Sequence, residues 1–428
     1  MSLGIKVVKG MKDTLPQEVV AWEYFEKKLV PILKSYGYLE LRMPLLEQTE
    51  LFKRAIGEVT DIVEKEMYTF QDKGGDSLTL RPEGTAQCVR LILENNLLRG
   101  QTQRVWYQGA MFRRENPQKG RYRQFHQFGV EAYGLSGPEV DAEQILMMRR
   151  LWQVLGLDHQ IHLQINSLGS AVERATYREA LIQYLRQCEG LDPDSIRRLN
   201  TNPLRILDSK NPLMQEIIQQ APNLLDYLGE ASLAHFKDLQ GLLDTLGVPY
   251  QVNPRLVRGI DYYTHTVYEW VTTALGAQGT VCAGGRYNDL VAQMGGPDTP
   301  AVGFALGVER IVMLLVDNEK IPPSRLADVY IIALINPPEM AQSEALLLAE
   351  KLRDALPGLN VLMNCDGGSF KSQFKRADKS TAAFALILGD DERRDQTISV
   401  KSLREEASQI TLNLDQLIDF LKNNALKK

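Results

Sequence analysis

Along residues 104–133, RVWYQGAMFRRENPQKGRYRQFHQFGVEAY, apolar and polar positions alternate with period two on either side of a basic turn. On the first arm Trp106, Ala110 and Phe112 share one face, and Tyr107, Gly109, Met111 and Arg113 share the other. On the second, Phe128, Val130 and Ala132 stand opposite Gln127, Gly129, Glu131 and Tyr133. This period predicts a hairpin of half-buried strands, with an oily face to pack on a helix and a small or polar face to meet a ligand. The turn holds Arg113, Arg114, Lys119, Arg121 and Arg123 against one acid, Glu115, a charge density suited to a phosphate-rich partner. An ordinary edge hairpin with a soluble tip would carry the same pattern.

Before the hairpin, Val20, Tyr24, Leu29, Ile32, Leu33 and Tyr36 recur at helical spacing, and Gly37 ends that helix. YLELRMPLLE then reads as one strand, confined to an edge or bulge because Pro44 cannot donate to a ladder. Residues 67–87 predict strand, Gly-rich turn, strand, and a helix entered through Pro82, Glu83, Gly84 and Thr85. Glu83 and Thr85 are either plain caps or acceptors for a ligand's ammonium group. Past the hairpin, PEVDAEQILMMRRLWQVLG is an amphipathic helix and HQIHLQINSLG a strand, on which His159 and His162 fall to opposite faces, a poor metal site.

From 170 to 252 the texture is helical, with turns and no convincing strand, as in an insertion within a mixed domain. Sheet-like residues return at 255 with RLVRGIDYYTHTVYEWV, followed by glycine-rich GAQGTVCAGGRYNDLVAQMGG, where backbone can approach a ligand closely. AVGFALGVERIVMLLV predicts a strand, Gly307, and a helix with Arg310 in its first turn, a compact anion site. DNEKIPPSRLAD reads as a linker, and beyond it strands alternate with helices as in a separate small α/β domain. There Lys371, Lys375, Arg376 and Lys379 make one basic helix able to touch a phosphate backbone, or simply a solvated face.

Length and charge narrow the picture. The 428 residues suffice for two or three domains. With 49 basic and 54 acidic residues the net charge is −5, so any contact with RNA has to come from local patches. Cys88, Cys188, Cys282 and Cys365 are scattered without a disulfide or zinc spacing, as expected of reduced thiols. No apolar run is long enough to span a bilayer and the N-terminus has no signal-type core, so a cytoplasmic protein without a membrane partner is expected. GxxxxGK[ST] and the kinase motifs are absent. Instead Arg113, Arg258 and Arg310, on separate strand or strand-to-helix positions, offer three guanidinium forks able to surround a triphosphate.

In order, these segments resemble class II aminoacyl-tRNA synthetases, and within them the histidyl-tRNA synthetase family, over essentially the whole chain. The first helix and Pro44 strand are similar to motif 1, MFRRE with its basic loop to motif 2, and GFALGVERIVMLL to motif 3. LRPEGT, RYRQFHQFGVEAYG, LVRGIDYYTHTVYEW and AGGRYNDL resemble the histidine-specific signatures. One departure is His265, where the family often has arginine.

The resemblance implies an α+β catalytic domain, an antiparallel sheet with flanking helices, in two parts at residues 1–169 (motifs 1 and 2) and 253–320 (motif 3). It implies a helical insertion at 170–252 and a C-terminal anticodon-binding α/β domain at 327–428. The implied activity is that of a histidine-tRNA ligase. L-histidine and ATP, with Mg2+, would form histidyl-adenylate and pyrophosphate, and histidine would pass to the 3′ end of tRNA(His), in a homodimer.

By position, Arg113 would hold the α-phosphate and the substrate carboxylate, Glu115 lie by the adenine, and Arg310 hold the γ-phosphate. Arg258 resembles the family's extra catalytic arginine, acting with Arg113 at the pentacoordinate α-phosphorus. Glu83, Gly84 and Thr85 would bind the α-amino group with Gln127 nearby, while Glu131, Tyr262, Tyr263 and Tyr287 would form the imidazole pocket. Gln118, Arg121 and Arg123 of the basic loop would meet the acceptor end, the insertion the acceptor stem, and the C-terminal domain the anticodon. No protein motif for a metal is implied. The rival is a non-catalytic paralogue, the histidine-sensing regulatory subunit of ATP phosphoribosyltransferase. Such chains usually lack the anticodon-type domain and the phosphate-binding arginines, and this sequence carries both.

Overall fold

The alternation at 104–133 becomes two strands, Gln103–Phe112 and Gln124–Tyr133, paired antiparallel with Trp106 opposite Val130 and Tyr107 opposite Gly129. The computed structural model describes residues 4–426 except 58, 277, 278, 323 and 324. Ala277 and Gln278 of the glycine-rich stretch, and Pro323 and Ser324 of the expected linker, therefore lie outside the described residues. The chain divides into two units, Met1–Ile321 and Pro322–Lys428.

In the first unit the hairpin supplies the second and third strands of an eight-stranded sheet. Across it run Leu39–Glu40, Gln103–Phe112, Gln124–Tyr133, Ala301–Gly307, Thr280–Arg286, Thr264–Val271, His162–Ser167 and Tyr250–Val252. All neighbours are antiparallel except the pairs at the two edges, which are parallel. One face packs Trp106, Phe128, Val130 and Ala132 against Phe25, Leu29 and Leu33 of helix Pro16–Ser35 and Ile145, Met148 and Trp152 of helix Glu139–Leu155. Trp106 and Phe128 stack at 5.8 Å between ring centres. The opposite face is less polar than its pattern predicts. Tyr107, Met111 and Tyr133 are buried there with helix Thr85–Glu94, because aromatic rings wall the ligand side.

Three local expectations change. The Pro44 segment is not one strand but two, Leu39–Glu40 in the large sheet and Leu46–Gln48 in a three-stranded sheet with Tyr68–Gln71 and Ser77–Leu80, the break falling around the proline that cannot donate. Residues 253–263 are irregular, so Arg258, Tyr262 and Tyr263 sit on a loop before Thr264–Val271 rather than on a strand. Within 170–252, Tyr250–Val252 is a strand, and helix Glu230–Thr245 sends Phe236, Leu239 and Leu243 into the main core. That helix forms the crossover between the parallel pair His162–Ser167 and Tyr250–Val252, as parallel pairing requires. Helices Ala171–Gln187 and Pro193–Thr201, capped by Ser170 and Asp192, begin the insertion proper.

The second unit has a five-stranded sheet in the order Val361–Met363, Val329–Leu334, Phe384–Gly389, Ile398–Ser402, Ile410–Leu412, the first three parallel. Val329 and Ile331 face helices Pro338–Ala355 and Leu414–Asn424, while Tyr330 and Ile332 face helix Phe370–Lys379. On that basic helix Arg376 is tied to Asn364 Oδ1 (2.8 Å), which leaves Lys371, Lys375 and Lys379 exposed.

Candidate active site

Glu131 is fully buried on the ligand face of the hairpin, and it and Tyr287 lie behind the cleft wall that Thr85 and Tyr107 form rather than on the wall itself. Its neighbour across the sheet is Gly303, where a Cβ would come within 1.7 Å of Glu131 Oε2. Tyr107 is likewise accommodated by Gly129, where a Cβ would stand 2.1 Å from its ring. Only residues without side chains leave room for this carboxylate and phenol. Glu131 accepts hydrogen bonds from Thr85 Oγ1 (2.8 Å), Tyr107 Oη (3.0 Å) and Tyr287 Oη. Burial pushes its carboxyl up to about 8, against the pull of those three hydroxyl donors.

Glu83 is the second buried acid. Its two oxygens accept the N–H groups of Thr85 (2.7 Å) and Ala86 (2.9 Å), capping helix Thr85–Glu94. The plain capping reading is thus realised, and it fixes the carboxylate at the cleft wall with Tyr262 Oη 3.5 Å away. Burial raises this carboxyl, and the backbone donors oppose the rise. Tyr262 and Tyr287 meet edge to face at 5.5 Å, while the Tyr263 ring lies beneath the Arg258 guanidinium at 5.4 Å. The phenol partners of Glu131 are therefore Tyr107 and Tyr287, and Tyr263 serves as a platform for Arg258.

The cleft walled by Glu83, Thr85, Tyr107, Tyr262 and Tyr263 continues into a strongly cationic half. Arg113, just past the first hairpin strand, donates to the Pro82 carbonyl (2.8 Å) and stacks over Phe125 (5.3 Å). Arg258 pairs with Glu269, whose other oxygen accepts from Thr280 Oγ1 (2.9 Å). Arg310, in the first turn of helix Val308–Asp317, reaches the carbonyls of Gly120 (3.2 Å) and Thr280 (2.5 Å). Arg113, Arg258 and Arg310 thus line one cleft together with Gly84, Gln127, Glu115 and Arg121.

Repulsion between guanidiniums bears on the titration of Arg310 and, to a lesser degree, of Arg113. Burial lowers Arg310, and Arg121 and Arg113 lower it further; burial lowers Arg113, with Arg258 adding to the effect. Burial also opposes the charge of Arg258, but Glu269 more than offsets it and holds that guanidinium above its ordinary value. A cluster of buried like charges is an environment that favours a bound polyanion.

The basic loop divides differently from its expected common role. Arg121 turns into the cleft and pairs with Glu115, while Arg123 is fastened to the carbonyls of Glu115 (3.1 Å) and Lys9 (3.2 Å). Gln118 stays exposed at the loop tip. His265 lies outside the cleft, with φ +46° and its Nδ1 3.4 Å from Ser232 Oγ. Tyr107, Phe125 and Glu269 are site residues that pattern reading missed. Alternation puts Tyr107 on the ligand face with Arg113, and Phe125 shares the parity of Gln127, so both carry a signal; Glu269 carries none, because His265 at φ +46° and a register shift interrupt the alternation of Thr264–Val271.

Residues 10–311 match the family model described as histidyl-tRNA synthetase, and residues 328–424 that of an anticodon binding domain. The chain is similar to the crystal structure of apo histidyl-tRNA synthetase from S. aureus, with 36% identity over 98% of this chain and 100% of that one and a TM-score of 0.79. Histidyl-tRNA synthetase from Nostoc sp. shares the fold at 22% identity, covering 98% and 99% of the two chains with a TM-score of 0.69. So does a protein from Bacillus halodurans described as an ATP phosphoribosyltransferase regulatory subunit/histidyl-tRNA synthetase, at 22% identity, 90% and 98% coverage and a TM-score of 0.64. The chain belongs to the histidyl-tRNA synthetase family of aminoacyl-tRNA ligases, with a class II catalytic domain and a C-terminal anticodon-binding domain.

Proposed function

We propose that this protein is a histidine-tRNA ligase that activates L-histidine with ATP and transfers it to the 3′ end of tRNA(His). The observation that carries the reading is the union, in one cleft, of three guanidiniums with Thr85 and Tyr107, whose hydroxyl groups donate to the Glu131 carboxylate buried directly behind them. In its ionised form Glu131 accepts from the N–H of a neutral imidazole, and a nearby phenol donates to the other ring nitrogen. Glu83, Gly84, Thr85 and Gln127 face the α-ammonium group.

A carboxylate oxygen of histidine then attacks the α-phosphorus, and the bond to the bridging oxygen breaks as pyrophosphate leaves. Arg113 and Arg258 meet the charge that accumulates on the α-phosphate oxygens, Arg310 holds the γ-phosphate, and Glu115 lies by the adenine. Because the donors are fixed before substrate arrives, catalysis is mainly electrostatic positioning. No side-chain nucleophile takes part.

Among the described residues no group of three or more His, Cys, Asp or Glu side chains is gathered to hold a metal ion. Glu115 and Glu269 are the carboxylates of the cationic half that could hold Mg2+, each by giving up part of its pairing with Arg121 or Arg258, and the ion would keep mainly water and phosphate ligands. Bound there, Mg2+ would neutralise triphosphate charge. The second substrate, tRNA(His), would meet Gln118 at the loop tip, with Arg121 and Arg123 behind it, and the exposed lysines of helix Phe370–Lys379 fit a phosphate backbone.

The reading also takes the protein as a cytoplasmic homodimer, paired through the motif 1 edge, where Leu39, Leu45 and Leu46 are exposed. A regulatory subunit of the same fold would need the histidine pocket but not the cationic half of the cleft, and that half favours the ligase. ATP-dependent attachment of labelled histidine to tRNA(His) tests the proposal. Failure of the purified chain to charge that tRNA would refute it.

A further inference from the structure

Arg258, Tyr262 and Tyr263 sit on residues 253–263, which carry no strand or helix, so their placement depends on whatever fastens that loop. Two ties come from the helical insertion. Asn202, just past helix Pro193–Thr201, donates through Nδ2 to Asp261 Oδ1 at 3.0 Å, and Arg174 of helix Ala171–Gln187 donates to the Tyr263 carbonyl. A third comes from the opposite side: the Asp261 N–H donates to the Ile56 carbonyl at 3.3 Å. The Asp261 carboxylate also fills the space over Gly57, where φ is +99° and a Cβ would stand 2.7 Å from Oδ2.

Gly57 opens the segment that contributes Ile62 to the cleft wall and the Glu66 carbonyl to the Arg114 N–H (2.7 Å). The insertion braces this segment as well, since Arg198 pairs with Asp61 (3.4 Å) and Arg197 with Glu64 (3.5 Å). One carboxylate therefore joins the insertion, the 57–66 segment and the catalytic loop. A hollow lined by Leu168, Arg178, Leu204 and Val257 together with Arg174, Asn202, Asp261 and Tyr263 lies between insertion and loop, so around it the polar ties bridge a gap that packing leaves open. Burial raises the Asp261 carboxyl, and Asn202, Arg174 and Arg205 pull it back toward the charged form that these donors need.

We propose that Asp261 and Asn202 are positioning residues for adenylate formation, through which the helical insertion sets the placement of Arg258 and its two tyrosines. The proposal rests on the ligase reading above. Its consequence is that an RNA docked on the insertion alters the first half-reaction without touching a reacting atom. Of the ATP contacts, Arg310 belongs to another element, and Arg113 and Glu115 flank Arg114, whose N–H is held by the Glu66 carbonyl and not by Asn202, so loss of the Asn202 tie reaches them only at second hand.

The test uses histidine-dependent exchange of pyrophosphate into ATP by the full chain. In Asn202→Ala, a misplacement on the order of 1 Å is expected to lower kcat about 10- to 100-fold and to raise the histidine KM. The ATP KM should stay within about twofold, a split that general loosening of the fold would not give. The exchanged pair N202D/D261N restores the hydrogen bond with its direction reversed and should recover most of the kcat lost in N202D alone, where two carboxylates face each other without a donor. If Asn202→Ala does not fold, Arg174→Met, which cuts the separate tie to Tyr263, carries the same expectation. Wild-type kcat in the folded single variants, equal rises in both KM values, or no recovery in the exchanged pair would overturn the proposal. Absence of exchange in the unaltered protein would instead overturn the ligase reading, and this proposal with it.

Discussion

Replacing Glu131 by glutamine keeps the shape of the pocket and removes its charge. In the unliganded protein the carboxyl titrates at about 8, so at pH 7 only about one molecule in eleven carries the carboxylate that accepts from an imidazole N–H, and at pH 8 about half do. Because apparent affinity scales with the competent fraction, the histidine KM of the unaltered protein should fall about fivefold between pH 7 and 8 and level off above. Free imidazole is already mostly neutral over this window and adds little. In E131Q that pH dependence should vanish, and loss of a hydrogen bond to a charged acceptor, about 1.5 to 3 kcal/mol, should raise the histidine KM about 10- to 160-fold above the high-pH value of the unaltered protein.

Stability supplies an independent check. A carboxyl raised from an ordinary 4.5 to about 8 by folding stabilises the native state at low pH, and the advantage is lost as pH rises through that window, by at most about 5 kcal/mol. The apparent Tm of E131Q should accordingly depend less on pH between 5 and 8. Steady-state exchange kinetics at saturating ATP from pH 6.5 to 8.5, with thermal melts alongside, measure both. A flat histidine KM in the unaltered protein, or an E131Q variant that keeps both its KM and its pH dependence, refutes the reasoning.

Other expectations follow from the same geometry. Arg258→Ala should lower kcat for adenylation by about 100- to 1,000-fold while calorimetry still detects histidine binding, and near-normal turnover would remove Arg258 from the mechanism. Gly303→Ala drives a methyl group into Glu131 and the Val130 carbonyl, so the Tm should fall by the equivalent of about 1 to 3 kcal/mol, with histidine affinity lost before ATP affinity; unchanged melting would contradict the packing. Binding of tRNA should weaken steeply with salt, and Lys375→Ala should reduce the log–log slope by about one; a slope independent of that lysine would exclude it from the phosphate contacts.

What could be read from the residues was whatever depends on neighbours in sequence. The hairpin, the strand and helix around Gly307, and the cap at Glu83 are set by period, glycine and helix-end chemistry, and they form as expected. The loop at 253–263 misled because its aromatic residues line a pocket, and composition alone does not separate that from a strand. Tyr250–Val252 is too short to show a period. The partnership of Tyr107 with Glu131 depends on Gly84 and Gly129 being empty at one point in space, and Glu269 gains its place only when the irregular loop before its strand folds back to bring Arg258 onto it. Such residues become visible only once the chain is folded.

The most direct measurement is histidine-dependent exchange of labelled pyrophosphate into ATP by the purified full chain, without tRNA and with each other amino acid as a control. The account predicts exchange with histidine and only background with the rest. Exchange driven equally by another amino acid, or none at all in a folded preparation that still binds histidine, would contradict it.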